Sequence, residues 1–201
     1  MTLLRRRFFL FRAGVCLPVL FAGLSLLLPR SSVFAQTNST NNEMSLRAFR
    51  AVASVLTSPR CLNCHSSSDG PLQGDDNHPH AMNVRRGVDG KGSAALHCFA
   101  CHQTENGKAL HSPPGAADWQ LPPSKTPMAW KSLSTGELCR TLKDPAKNGN
   151  RSLQDLIPHM DTSLVRWAWN PGPGRSRPPV SHDEFVSRLK EWIATGAACP
   201  E

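Results

Sequence analysis

Cys61-Leu62-Asn63-Cys64-His65 and Cys98-Phe99-Ala100-Cys101-His102 are two copies of one pattern, CxxCH, in a chain of 201 residues. Cysteines three apart lie about one helical turn from each other and share a face. They can bond two points on the edge of one flat group. The adjacent histidine then lies beneath that group and offers a neutral imidazole nitrogen to a metal at its centre. These are the demands of haem c, whose two vinyl groups take two thioether bonds and whose iron takes the histidine as proximal ligand. Cys61, Cys64, Cys98 and Cys101 are therefore the expected haem attachment points, and His65 and His102 the expected proximal ligands. A four-cysteine zinc ribbon expects roughly 15–20 residues between its pairs. Here 33 residues separate Cys64 from Cys98, and zinc leaves the histidine after each pair unexplained.

The N-terminus agrees with this reading. Arg5-Arg6-Arg7 precedes an apolar run that ends at Leu28, and Val33-Phe34-Ala35 places small residues where a signal peptidase cuts. Residues 1–35 read as a secretory signal peptide and 36–201 as the mature domain. Arg6-Arg7-Phe8-Phe9-Leu10 also has the look of a twin-arginine signal. If the leader stays uncleaved, its uncharged stretch from Ala13 to Pro29 can serve as a membrane anchor. Either route places the domain outside the cytoplasm, in the periplasm, where haem c is joined to protein.

Loss of the leader changes the balance of charge. The chain carries a formal +8, but five arginines lie in residues 1–35 and no acid does, leaving +3 over residues 36–201. The remaining Lys and Arg are scattered, so a nucleic-acid partner is not expected. Cys16 departs with the leader. Beyond the two pairs remain Cys139 and Cys199, for which a disulfide is the default in an oxidising compartment. It closes a loop of about 60 residues and stabilises by ~4 kcal/mol in the loop-entropy treatment.

With two CxxCH motifs behind a signal peptide, the chain resembles the small di-haem c-type cytochromes of Gram-negative bacteria. Three further stretches are Gly74-Asp75-Asp76-Asn77-His78-Pro79-His80-Ala81-Met82-Asn83, Thr126-Pro127-Met128-Ala129-Trp130 and Gly136-Glu137-Leu138-Cys139. They are similar to cytochrome-like proteins labelled as subunits of isoquinoline 1-oxidoreductase, a molybdenum hydroxylase. The resemblance implies a single-electron carrier serving a neighbouring dehydrogenase and a respiratory acceptor. It does not imply that this polypeptide binds molybdenum.

Secondary structure is expected to be mainly α-helical and loop-rich. Residues 36–42 read as a flexible polar start. From Glu43, Leu46, Phe49, Ala53 and Leu56 recur at helical spacing until Pro59. Residues 66–96 and 103–131 read as loops. Ser134 with Glu137 and Ser181 with Glu184 are capping-box signatures that open helices. A helix from Leu153 to Met160 is interrupted by Pro158, and Asp161 is the expected cap of a short turn carrying Trp167 and Trp169. Phe185, Leu189, Trp192 and Ile193 form the clearest apolar stripe, stopped by Gly196.

Each iron needs a sixth ligand or an open face, and this choice sets the function. His78-Pro79-His80-x-Met82 concentrates three possible ligands on a polar loop, with His80 the first choice. Pro127-Met128 and His159-Met160 supply further candidates, Met128 and His159 foremost. His97 is too close to Cys98 to cross its own ring, and His182 is expected at the surface. The tryptophans are expected around the haem pockets or in the core, and Arg85, Arg86, Arg175 and Arg177 at the solvated surface or beside haem propionates. An open iron face implies a peroxidase-like enzyme instead, and a third reading is a zinc- or haem-binding interaction module.

Overall fold

The computed structural model describes residues 31–201, so the body of the expected leader, with Cys16, lies outside the described residues. The architecture is mainly helical and loop-rich. Helix α1 spans Ser31–Leu56, and a single turn, α2, spans Pro59–Leu62. Helices α3 (Thr135–Lys143), α4 (Leu153–His159), α5 (Ser163–Arg166) and α6 (His182–Ala194) follow. Between α2 and α3 lie long loops pinned by two two-residue antiparallel ladders, Leu72–Gln73 with His78–Pro79 and Gly92–Ser93 with Leu96–His97. No described helix is long and apolar enough to cross a membrane.

Helix α1 starts earlier than its apolar periodicity indicates. Residues 36–42, expected as a flexible start, are helical, and the expected cleavage point after Ala35 falls within the same helix. Once a helix is nucleated, each added residue gains one backbone bond. It therefore runs through exposed Asn, Ser and Thr that would not start one. Its C-terminal half supplies the core. Phe49, Val52 and Val55 are fully buried against α6, where Phe49 meets Trp192 with ring centroids 4.9 Å apart. Buried Ser45 donates to the Trp192 carbonyl and accepts from the Ala198 amide, so it stitches α1 to the end of α6.

Pro59 ends the α1 pattern and takes the first turn of α2, where its missing amide costs nothing. Helix α3 opens as read, on the reciprocal Ser134–Glu137 box. Helix α4 opens on a second reciprocal box, Ser152 with Asp155, and it carries Pro158 in its last turn. The cap of α5 is Thr162 and not Asp161, whose carboxylate instead takes Arg166 at 2.8 Å. Helix α6 opens on Ser181, and Gly196, at φ 105°, turns the chain away after it. The tail returns to α3 through the disulfide Cys139–Cys199. Gly136 permits the approach, because a Cβ there would meet the Pro200 carbonyl at 2.3 Å.

Two tests follow from this packing. Phe49→Ala removes a fully buried ring and is expected to cost about 3–5 kcal/mol in chemical denaturation. Secondly, hydrogen bonds from Ser134 and Ser152 hold the Glu137 and Asp155 carboxyls below their ordinary values of 4.5 and 3.8. A carboxylate depressed in the fold stabilises above its unfolded value and loses that contribution as pH falls through the folded one. Denaturation midpoints are therefore expected to fall below about pH 4.5, and less steeply in Ser134→Ala/Ser152→Ala.

Candidate metal centre with two cavities

The two motifs fold alike. In the first, the amides of Cys64 and His65 both donate to the Cys61 carbonyl, at 3.2 and 3.0 Å. In the second, the amides of Cys101 and His102 donate to the Cys98 carbonyl at 3.2 and 2.9 Å. One helical turn thus gathers two thiols and an imidazole in each case.

The histidines are then oriented alike by distant backbone. His65 Nδ1 donates to the Met128 carbonyl at 2.9 Å, and His102 Nδ1 donates to the Pro114 carbonyl at 2.7 Å. Occupying Nδ1 fixes the tautomer and leaves the Nε2 lone pair free, as second-shell partners of metal-bound histidines do. Each ring also lies flat on a tryptophan. His65 stacks on Trp130 at 3.4 Å between centroids and 3° between planes, and His102 stacks on Trp119 at 4.5 Å and 7°. The backbone at Met128 is left-handed, φ 45°, an uncommon conformation for a side chain of this kind, and it is used to aim this carbonyl. Burial pushes His65 down to about 3 and lowers His102 as well. Both imidazoles are neutral at physiological pH, the form that binds metal.

Each motif faces its own cavity. The first, about 650 Å³, is walled by Cys61, Cys64, His65, Trp130, Trp169 and the end of α4. The second, about 500 Å³, is walled by Cys98, Cys101, His102, Trp119 and the 78–82 loop. Both lie in the usual size range of small-molecule and cofactor pockets, about 300–1,000 Å³. They share Arg60, Cys64, Leu121 and Trp167, so they are neighbours.

The expected distal residues divide between them. His80, with His78 and Met82, lines the second cavity. Its Nδ1 donates to the Ala81 carbonyl at 2.7 Å, which again leaves Nε2 free. Two imidazoles on opposite sides of one metal, with bonds of about 2 Å, place their centroids roughly 6 Å apart. The His80 and His102 centroids are 6.0 Å apart. Met128, His159 and Met160 line the first cavity. The Met128 carbonyl holds His65 at Nδ1, whereas His159 belongs to α4. Burial, then Arg151, pushes His159 down to about 4, so it too is neutral.

Other expectations change. His182 is largely covered and its Nε2 donates to the Met160 carbonyl at 2.9 Å, because the α6 N-terminus packs on the end of α4. Of the two places expected for the tryptophans, Trp192 takes the core. Arg86, expected at the surface or beside a propionate, is 1% exposed and spends its guanidinium on the Pro122 and Ser68 carbonyls, at 2.8 and 3.2 Å. It is a loop clamp. Arg60 is a residue that the sequence reading passed over. It directly precedes Cys61, but its place between two cavities depends on the fold.

Two features test the fit of a cofactor. Arg60 Nε and Trp130 Nε1 are buried donors with no protein partner, and both residues line the first cavity. Buried donors without acceptors are costly, and an apolar group bearing carboxylates satisfies them. Burial also pushes the Cys61 thiol up to about 12 and Cys64 up to about 11, so both are protonated. Structural zinc requires four converging thiolates or imidazoles. Among the described residues no three His, Cys, Asp or Glu side chains converge on a bare ion.

Arg86→Met leaves two carbonyls without their charged donor and is expected to cost about 2–3 kcal/mol in chemical denaturation. Comparison with models of protein families, with curated proteins and with solved structures returned no match.

Proposed function

We propose that this chain is an exported di-haem c-type cytochrome that carries single electrons. Supporting this reading is the duplicated arrangement: each CxxCH turn opens on its own cavity, with its histidine clamped at Nδ1 and a second histidine on the wall. Haem c, when bound, supplies a one-electron iron couple. The chain's own part is to attach, orient and shield. Cys61 with Cys64 and Cys98 with Cys101 are the attachment sulfurs, and His65 and His102 the proximal ligands.

We assign His80 as the partner of His102, supported by their 6.0 Å centroid separation, and His159, on the wall of the first cavity, as the partner of His65. Met128 is then a support of His65 through its carbonyl. Two histidines per iron leave no open face, which favours the carrier over a peroxidase-like enzyme. They also set lower potentials than a His–Met pair. Trp119, Trp130, Trp167 and Trp169 exclude water from the cavities. Residues 1–35 serve as the export signal, with the periplasm as destination. The partners are redox proteins, a dehydrogenase of the molybdenum-hydroxylase type as donor and a respiratory component as acceptor. That partner assignment rests on the sequence resemblance.

Protein from a host that matures c-type cytochromes is expected to carry two covalent tetrapyrroles by mass spectrometry and to show only low-spin iron. His80→Ala and His159→Ala should each turn one of the two irons high-spin. Met128→Ala should leave both low-spin. Colourless protein without added tetrapyrrole mass overturns the proposal.

A further inference from the structure

Arg60 lines both cavities, as Cys64, Leu121 and Trp167 also do. Its side chain is 2% exposed, and Nη2 donates to the Gly74 carbonyl at 3.0 Å and to Asp75 at 2.5 Å. The guanidinium carbon lies 6.0 Å from the centre of the Trp167 ring, itself part of both walls. Nε–H has no partner. Arg175, on the wall of the second cavity, lies close enough for its charge to act on the same region. Its guanidinium donates to the carbonyls of Pro171 and Ser112, which are neutral acceptors. Asp75 is the acid that faces both arginines, and it also accepts from the Ser176 amide at 3.0 Å.

Two buried or half-buried cations against one carboxylate leave a surplus positive charge at the shared wall. The Arg60 Nε–H, buried without an acceptor, carries a penalty that an incoming anion removes. We propose that Arg60, assisted by Arg175, is a carboxylate-binding site common to both cavities. Its ligand is a carboxylate carried by a cofactor seated in one of them. This inference rests on the two-haem reading, in which each cofactor brings propionates. One fixed cation beside both irons also favours the less positive, reduced state of each. Arg60 is thus a positioning residue that biases two couples together.

The test is a potentiometric titration of the holoprotein, read optically, with covalent haem counted by mass spectrometry. In Arg60→Met, with two haems attached, both couples are expected to shift about tenfold toward the oxidised form, ~59 mV downward for a one-electron couple. Arg60→Lys, which keeps the charge, should keep most of the wild-type value. Asp75→Asn, at a half-exposed site, removes the counter-charge and should move both couples upward. If Arg60→Met does not mature, Asp75→Asn and Arg60→Lys decide the matter. Two attached haems with couples that move less than twofold, or a shift confined to one couple, overturn the inference and leave the cytochrome reading intact. Wild-type protein without haem overturns the cytochrome reading itself.

Discussion

A hydrogen bond from Nδ1 of a motif histidine to a backbone carbonyl is the constraint on which the site depends. His65 and His102 each sit directly after a cysteine, on a short turn that by itself allows the ring to rotate. The Met128 and Pro114 carbonyls remove that freedom, at 2.9 and 2.7 Å, and the stacked Trp130 and Trp119 remove the rest. A ring held at Nδ1 and on one face has one useful atom left, Nε2, and one direction in which to present it. The cavities lie where those two rings point their remaining chemistry, and the other histidines on the walls acquire meaning from that.

Holding two carbonyls in place requires a frame, and the helices provide it. The α1–α6 pair, with Phe49 on Trp192 and Ser45 linking their ends, forms the densest part of the core. The disulfide from Cys139 to Cys199 ties α3 to the tail of α6. Against this frame the loop from 103 to 131 is fastened at a few points. The amide of Trp130 donates to the His65 carbonyl at 2.9 Å, and Arg86 clamps Pro122 and Ser68. Loops of this length need such fastenings, since they carry few backbone ladders of their own. Under the proposed function a bound cofactor becomes part of the core of a chain that is otherwise short of aromatic and strand-forming residues.

The cavities share part of their walls but differ in the rest of their lining. Cys61, Cys64 and Cys98 are half-buried, whereas Cys101 and most of the 78–82 loop are exposed. Shared walls at Cys64 and Trp167 keep the two close. Under the proposed function, two cofactors at such short separation suit a relay.

Much of this was readable along the chain. The CxxCH pairs, the capped starts of α3 and α6 and the Phe185–Trp192 stripe follow from spacing, and the pairing of Cys139 with Cys199 from their being the cysteines left over beyond the two motifs. Those signals are local, or are settled by elimination among a few cysteines. The misreadings had physical causes as well. Residues 36–42 are helical because propagation is cheaper than nucleation, and Thr162 rather than Asp161 opens α5 because Asp161 is engaged with Arg166. Carbonyls have no side-chain signature, so nothing in the letters marks Met128 or Pro114 as the clamps of histidines 63 and 12 residues away. Nor can spacing place Arg60 between two cavities or bring His80 within 6.0 Å of His102. Residue identity along the chain decides which chemistry is possible. Folding decides which atoms meet, because those contacts join segments that share no local rule.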